Sequence, residues 1–292
     1  MRHSIICAAL LLAVASADLA VAEEWTTPMP VKTGINTQFD EWTPFLSYDG
    51  RSLYFSRGYT DTYDDFRIFE AKRAQPFGDF TSVTEVLSKQ YHHILGPWVS
   101  PDNLRMYYQE ETTWQIKVSQ RASVNDAWPQ GSAINLGSVA PVYPTLSANE
   151  LIMAFDSQDT DGRNIYIATR PDKYSPFANI QPLAELNTAQ DDSHPSLSSD
   201  GLTIYFSRDN KIFSAIRPTL NDPFGNIKYL PTFDIPGGSS AHPRISGDGT
   251  ALYFACSISG QPADIYVSYL VPEPATIALL SIGGLLLRRS KR

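Results

Sequence analysis

The chain has 292 residues, of which 42% are hydrophobic and 12% aromatic, so it can bury a substantial core and is not a disordered protein. Its formal net charge is −8, which excludes the Lys- and Arg-rich surface that non-specific nucleic-acid binding requires. Two cysteines are too few for a disulfide framework.

The first 22 residues are predicted to be a secretory signal peptide. Arg2 and His3 form a short basic start, residues 5–14 are apolar, and Ala20-Val21-Ala22 is a small-x-small cleavage site. We therefore expect signal peptidase to cut after Ala22 and the mature protein to be exported. The alternative is a buried N-terminal helix.

Residues 23–270 form one unit repeated five times. Each unit contains a four-residue block made of a proline, any residue, an apolar residue and a serine. The spacings between successive block serines are 53, 47, 51 and 48 residues. A period of about 50 residues is typical of a four-stranded propeller blade. The five blocks are Pro44–Ser47, Pro97–Ser100, Pro144–Ser147, Pro195–Ser198 and Pro243–Ser246.

Each block is followed by a turn and a second strand. Asp49-Gly50, Asp200-Gly201 and Asp248-Gly249 favour tight hairpins, because glycine adopts positive φ without steric cost. Aromatic and branched residues then predict the second strand, and an isoleucine marks the third strand in every unit. The outer strands are predicted to open at Phe77, Trp128, Phe177 and Phe224.

The fifth unit has no outer strand after it. Residues 25–36 begin with the aromatic Trp25 and precede the first block as the other outer strands precede theirs. Because an unpaired sheet edge is a liability, we expect this segment to close the ring as the outer strand of the fifth blade. The predicted fold is all-β, a five-bladed β-propeller of four-stranded antiparallel blades, with no room for a second domain.

The repeat resembles the TolB-type or WD40-like propeller repeat in its order of Pro-x-Leu-Ser-x-Asp-Gly, Leu-Tyr-Phe and Ile-Tyr. The resemblance covers all five units and is strongest at residues 195–207 and 243–254. It differs at the turn, where only Ser100-Pro101-Asp102 keeps the proline of the family form. The resemblance implies a propeller fold, and by analogy a rim that binds proteins or glycans.

Residues 271–292, at the C-terminus, are predicted to be a second targeting signal. Pro272-Glu273-Pro274 precedes thirteen apolar residues, 275–287, and a basic end. At about 1.5 Å per residue this run is shorter than the bilayer core, so transient membrane insertion fits better than an ordinary tail anchor, the alternative. The order resembles the PEP-CTERM sorting signal of Gram-negative envelope proteins, which implies processing at Pro272–Pro274 by an exosortase-type membrane protease.

Polar residues gather where the predicted innermost strands begin. Since these starts share one rim of the central channel, we predict a ligand-binding rim there. Imidazole and carboxylate groups together suit divalent metals. However, no His-x-x-x-His or Cys-x-x-Cys spacing occurs, so we predict neither metal nor cofactor. The alternative is that these residues only cap strands and join blades. They are Asp40, Glu41, His92, His93, Tyr143, Asp191, Asp192, His194 and His242.

The acidic stretch Asp156–Gly162 lacks the final glutamate of an EF-hand, and we interpret it as a solvated hairpin loop rather than a calcium site.

The sequence favours a non-catalytic binding or scaffold protein, exported to the cell envelope or extracellular matrix of a Gram-negative bacterium. Every recurring residue has a folding role, and no Gly-x-Ser-x-Gly motif occurs. The partner would be an envelope protein or a glycan, not a nucleic acid. The alternative is a glycosidase-like enzyme, whose paired carboxyls would come from Asp40, Glu41, Asp191 and Asp192.

Overall fold

A computed structural model of the protein describes residues 24–32, 34–58, 65–87, 93–159 and 162–272. The predicted signal peptide with its cleavage site at Ala22, the tail beyond Pro272 with Glu273 and Pro274, and His92 all lie outside these residues. Within the described ranges, no helix has the length and apolar character needed to cross a membrane.

The described residues form twenty β-strands. A short strand near the start of the described chain is β1 (Met29–Pro30). The next four are β2 (Glu41–Leu46), β3 (Ser52–Gly58), β4 (Phe66–Lys72) and β5 (Ser82–Glu85). These are followed by β6 (Ile94–Val99), β7 (Arg105–Glu110), β8 (Gln115–Gln120) and β9 (Ser132–Ala133). The third group is β10 (Pro141–Leu146), β11 (Ile152–Asp159), β12 (Gly162–Thr169) and β13 (Ala178–Pro182). The fourth is β14 (Asp192–Leu197), β15 (Thr203–Arg208), β16 (Lys211–Ile216) and β17 (Gly225–Tyr229). The last strands are β18 (Gly238–Ile245), β19 (Ala251–Ile258) and β20 (Ala263–Tyr269), after a 3-10 turn at Pro231–Phe233.

The strands form five antiparallel four-stranded sheets, which are the blades of a β-propeller. Blades one to four are continuous meanders, β2–β5, β6–β9, β10–β13 and β14–β17. The first strands β2, β6, β10, β14 and β18 contact one another around the ring and surround the central axis. This arrangement confirms the predicted fold class.

The fifth blade has the order β1-β20-β19-β18, so the N-terminal strand closes the ring as predicted. Met29 pairs with Val267, and Trp25 forms a bridge with Leu270. Trp25 is only 7% exposed, and its ring lies 5.5 Å from that of Phe233.

An asparagine completes this outer strand. The Asn36 side chain donates to the carbonyl of Ile265 at 3.0 Å and accepts from its amide at 2.8 Å. Asn187 makes the same pair of bonds with Ile165 in blade three, at 3.0 and 2.8 Å. The N-terminal segment therefore occupies the same structural position as a covalently continuous outer strand.

The repeat serine has the same role in all five blades. Its hydroxyl donates to the side chain two residues later, at 2.6 Å from Ser47 to Asp49 and at 2.7 Å from Ser147 to Asn149. Its oxygen also accepts from the backbone amide at the start of the second strand. The equivalent pairs are Ser100–Asp102, Ser198–Asp200 and Ser246–Asp248. These bonds close the tight turn between first and second strands.

One predicted outer-strand aromatic was wrong. Phe77 is 85% exposed, whereas Phe80 is buried beneath the guanidinium of Arg73, 4.6 Å from the ring centroid. The correct spacing is seven residues after the third-strand arginine, as the other three blades show. Those pairs are Arg121–Trp128, Arg170–Phe177 and Arg217–Phe224.

Candidate functional site

Each innermost strand contains a bulge immediately before its repeat proline. The pairing register shifts there in all five blades. The residue before each proline has a left-handed backbone, with φ between 51° and 63°. Only one of the five is glycine, and for a threonine or an aromatic residue this conformation costs of order 1–3 kcal/mol. Strain of this kind is concentrated at functional sites. The residues are Thr43, Gly96, Tyr143, His194 and His242.

Three of these bulge residues meet at the start of the channel. The ring centroids of His194 and His242 are 3.6 Å apart, and that of Tyr143 lies 4.6 and 5.0 Å from them. Trp42 packs on His242 at 5.3 Å. We call Trp42, Tyr143, His194 and His242 the channel-mouth cluster. The structure thus brings together the predicted Tyr143, His194 and His242 from three different blades.

The imidazoles of this cluster are held neutral. Burial lowers the pKa of His194 well below its ordinary 6.5, and His242, Arg163 and Arg244 lower it further. The pKa of His242 is lowered in the same way, by burial and then by the two arginines. At neutral pH the cluster therefore presents two uncharged rings that can donate or accept hydrogen bonds.

Arg244, two residues after His242, joins the innermost strands of three blades. Its guanidinium donates to the carbonyl oxygens of Pro195 and Pro144, each at 3.0 Å, and so links blades three, four and five. Arg244 is buried, and burial lowers its pKa to about 10.

Asp156 is a site residue that the sequence interpretation missed. It is fully buried, and its carboxylate accepts from Arg163 Nη1 at 3.0 Å and from the amide of His194 at 3.1 Å. Burial raises its pKa to about 6, although Arg163 opposes the shift. The expectation of a solvated loop was therefore wrong at its first residue. An alignment of the repeats would have identified Asp156 as unusual, because blades one and four have the neutral Ser56 and Ser207 at the same register position.

Two predicted site carboxylates are buried and paired with arginines. Glu41 accepts from Arg57 Nε at 2.8 Å and from the hydroxyl and amide of Thr37 at 2.6 and 3.0 Å. Asp192 repeats the arrangement with Arg208 at 2.6 Å and with Thr188 at 2.7 and 2.9 Å. Both carboxylates are fully buried and tie the preceding loop to the strand start.

The other two carboxylates bind backbone amides. Asp40 accepts from the amide of Ala263 at 2.7 Å and so joins blades one and five. Asp191 is exposed and accepts from the amide of Arg163 at 3.0 Å, joining blades three and four. The four carboxylates considered for glycoside hydrolysis thus all have capping or blade-joining contacts.

His93 lies at the far end of a row of rings that leads to the cluster. Its ring centroid is 6.2 Å from that of Phe66, which in turn lies 5.3 Å from that of Trp42. The Nε2 atom of His93 contacts the carboxylate of Glu111. The Nδ1 atoms of His93 and His242 are buried and have no hydrogen-bond partner among the described residues. Such atoms are the ones that a bound ligand would satisfy. In the same ranges, no three His, Cys, Asp or Glu side chains are grouped closely enough to hold a metal ion.

The fold is shared with several solved structures. A thermostable family-43 glycoside hydrolase matches 83% of this chain and 93% of its own, with a TM-score of 0.58 and 11% identity. The α-L-arabinofuranosidase PaAbf62A from Podospora anserina, solved in complex with cellotriose, matches 86% of this chain and 97% of its own, with a TM-score of 0.58 and 10% identity. A putative TolB from Agrobacterium tumefaciens matches 82% of each chain, with a TM-score of 0.51 and 12% identity.

No protein-family model matches the sequence, and no curated protein matches it. The likeness to solved structures shows that the chain has the β-propeller fold found in a putative TolB and in glycoside hydrolases. At identities of 10–12% the similarity concerns the fold alone.

Proposed function

We propose that the protein is a non-catalytic binding protein whose channel-mouth cluster binds the end of a neutral glycan. The observation that carries this proposal is the composition of the mouth: Trp42 and Tyr143 flank two imidazoles whose pKa values are held low. Aromatic faces pack against the apolar face of a sugar ring, and the neutral imidazole nitrogens can bond its hydroxyl groups.

Charge also favours a neutral ligand over an anionic polymer. The chain carries a net charge of −8, and the four positive charges at its C-terminal end would be removed with the processed tail. The remaining body would be more acidic still and would repel polyanions. The glycoside hydrolases that share the fold make carbohydrate a reasonable ligand class.

The experiment is a binding screen of neutral glycans against the purified protein. We expect Trp42→Leu to weaken the affinity of any bound glycan about fivefold or more, since an aromatic contact in a desolvated site contributes about 1 kcal/mol or more. Trp114→Leu, on the exposed hairpin between β7 and β8, is the matched control and should leave affinity unchanged. Equal loss of affinity in both variants would contradict the proposal.

A glycosidase is the second candidate, and Asp156 is the observation that favours it. A carboxyl whose pKa is raised to about 6 is in the range of a general acid. Retaining or inverting hydrolysis needs a second free carboxyl about 5–9.5 Å away. Turnover of chromogenic glycosides that is abolished by Asp156→Asn would establish this alternative, and binding without turnover would support the first.

The proposed location is the cell envelope or extracellular matrix, reached by export and tail processing. The supporting observations are the signal-peptide pattern of residues 1–22 and the Pro272–Pro274 motif with its apolar and basic continuation. The proposed processing partners are signal peptidase and an exosortase-type protease.

Intact-mass measurement of the protein from its native host tests this. We expect a chain that begins at Glu23 and ends between Val271 and Pro274. A mature surface protein that retains Arg292 would contradict the processing.

A further inference from the structure

The end of the propeller opposite the channel mouth presents a ring of apolar side chains. In each of blades one to four, the loop between third and fourth strands has one large apolar residue three or four positions after the arginine. In blade five, which has Leu270 in place of the arginine, the chain leaves the sheet at the next residue, Val271. We call these residues the loop-tip face. They are Phe77, Val124, Tyr174, Leu220 and Val271, and their exposed fractions are 85%, 51%, 82%, 45% and 39%.

The topology places these loops at one end of the molecule. In an antiparallel four-stranded blade, the turn after the first strand and the loop after the third strand share an edge. The contacts agree, since a Cβ atom at Gly50 would lie 3.1 Å from Pro76, and one at Gly201 would lie 3.3 Å from Leu220. The channel mouth is at the other end, where the first strands begin.

The tips are held outward by their own loops. Asp172 accepts from the amides of Tyr174 and Ser175 at 2.9 and 3.0 Å. Asp126 accepts from the amide of Ser123 at 2.9 Å in blade two. Exposed Phe and Tyr side chains arranged around one end are typical of a surface that contacts a partner or a membrane.

The chain itself indicates which partner this is. After β20 the amide of Val271 donates to the carbonyl of Glu24 at 2.8 Å, which fixes the point of exit at this face. Only residues 272–274 separate Val271 from the apolar run 275–287. Three extended residues span at most about 10 Å, so a membrane-inserted run would bring the face to the lipid headgroups.

We propose that the loop-tip face rests on the lipid bilayer, with the rings of Phe77 and Tyr174 among the headgroups, while the C-terminal segment is inserted. The channel mouth then points away from the membrane. The exposed aspartates of the tight turns, such as Asp49 and Asp200, lie at the same end and favour zwitterionic over anionic lipid. The inference rests on the membrane-inserted tail of the proposed export route but not on glycan binding.

The test uses residues 23–292, the chain expected after removal of the signal peptide, in vesicles of phosphatidylcholine and phosphatidylethanolamine. The apolar run 5–14 is left out because Trp25 pairs with Leu270, so that run would reach the lipid from the same face. A bimane label is placed by Asn125→Cys beside Val124 on the loop-tip face, or by Thr112→Cys on the hairpin at the opposite end. Cys256 is buried and should not react. We expect lipids with brominated acyl chains to quench the Asn125 label at least about threefold more than the Thr112 label.

A double variant, Phe77→Ser with Tyr174→Ser, should reduce quenching of the Asn125 label to the level of the Thr112 label. Both rings are more than 80% exposed, so folding should be unaffected. Trp114→Ser is the control and should change nothing. Any of three outcomes would overturn the proposal. They are equal quenching at both labels, failure of the chain to float with vesicles, and unchanged quenching in the double variant. Self-association in solution that needs Phe77 would assign the face to a protein partner instead. Glycan affinity is measured separately, so either proposal can fail alone.

Discussion

Deletion of residues 24–36 is expected to unfold the propeller. The segment supplies the whole outer edge of blade five, and it buries Trp25, Val31 and Ile35. Without it, the edge groups of β20 that now pair with Met29, Pro30 and Asn36 would face solvent. An open ring with an unpaired strand exposes both apolar surface and backbone groups, and such edges promote aggregation.

The single variant Trp25→Ala isolates part of this effect. Removal of a buried aromatic side chain should lower the free energy of unfolding by about 3–5 kcal/mol, a large part of the 5–15 kcal/mol typical of a domain. Phe77→Ala is the matched control and should change stability little, because that ring is exposed. Denaturant unfolding and size-exclusion chromatography measure both. A monomeric deletion variant with an unchanged unfolding midpoint would contradict ring closure by this strand.

Stability should fall steeply below pH 6.5 because of the channel-mouth histidines. The pKa values of His194 and His242 are lowered well below 6.5 in the folded protein, so the unfolded chain binds more protons as the pH drops. Each such group removes up to about 1.4 kcal/mol of unfolding free energy per pH unit. The pKa of Asp156 is raised to about 6, so this carboxyl opposes the loss below pH 6 by up to the same amount. Arg163 and Arg244 stay charged. Burial also raises the pKa values of Glu41 and Asp264 above 4.5 and 3.8, so these carboxyls oppose the loss at lower pH. Just below pH 6.5 the two imidazoles dominate, because their protonation in the unfolded chain begins there.

Asparagine variants test this prediction, because asparagine tolerates the left-handed backbone at both positions, where φ is 53° and 54°. Urea unfolding between pH 7 and 5 should show a shallower pH slope for His242→Asn than for the parent protein. In the double variant with His194→Asn, the part of the slope due to these histidines should vanish. The same slope in parent and double variant would show that the histidines titrate normally.

Repetition made the fold predictable. Five copies of the proline block, each with a turn and two β-rich segments, leave few arrangements besides a closed ring of blades. Counting strands was enough to assign residues 25–36 to blade five, because sheet edges must be paired. Phe77 was wrongly predicted because both Phe77 and Phe80 follow the third strand of blade one. Only the contact of Arg73 with the ring of Phe80 shows which of them begins the outer strand.

The places of His194 and His242 were also visible in the sequence, since each directly precedes a repeat proline, and position in a repeat predicts position in the ring. Their neutrality, their 3.6 Å contact and the hydrogen bonds of Arg244 to Pro144 and Pro195 depend on residues from separate blades, about 50 or 100 positions apart. Asp40, Glu41, Asp191 and Asp192 looked like candidate catalytic carboxyls because charge is evident in a sequence and hydrogen-bond partners are not. Other strands supply the arginines and amides that bind these carboxyls, and burial raises the pKa of Asp156. Local patterns thus specify strands and turns, whereas the electrostatics of the mouth arise from long-range packing.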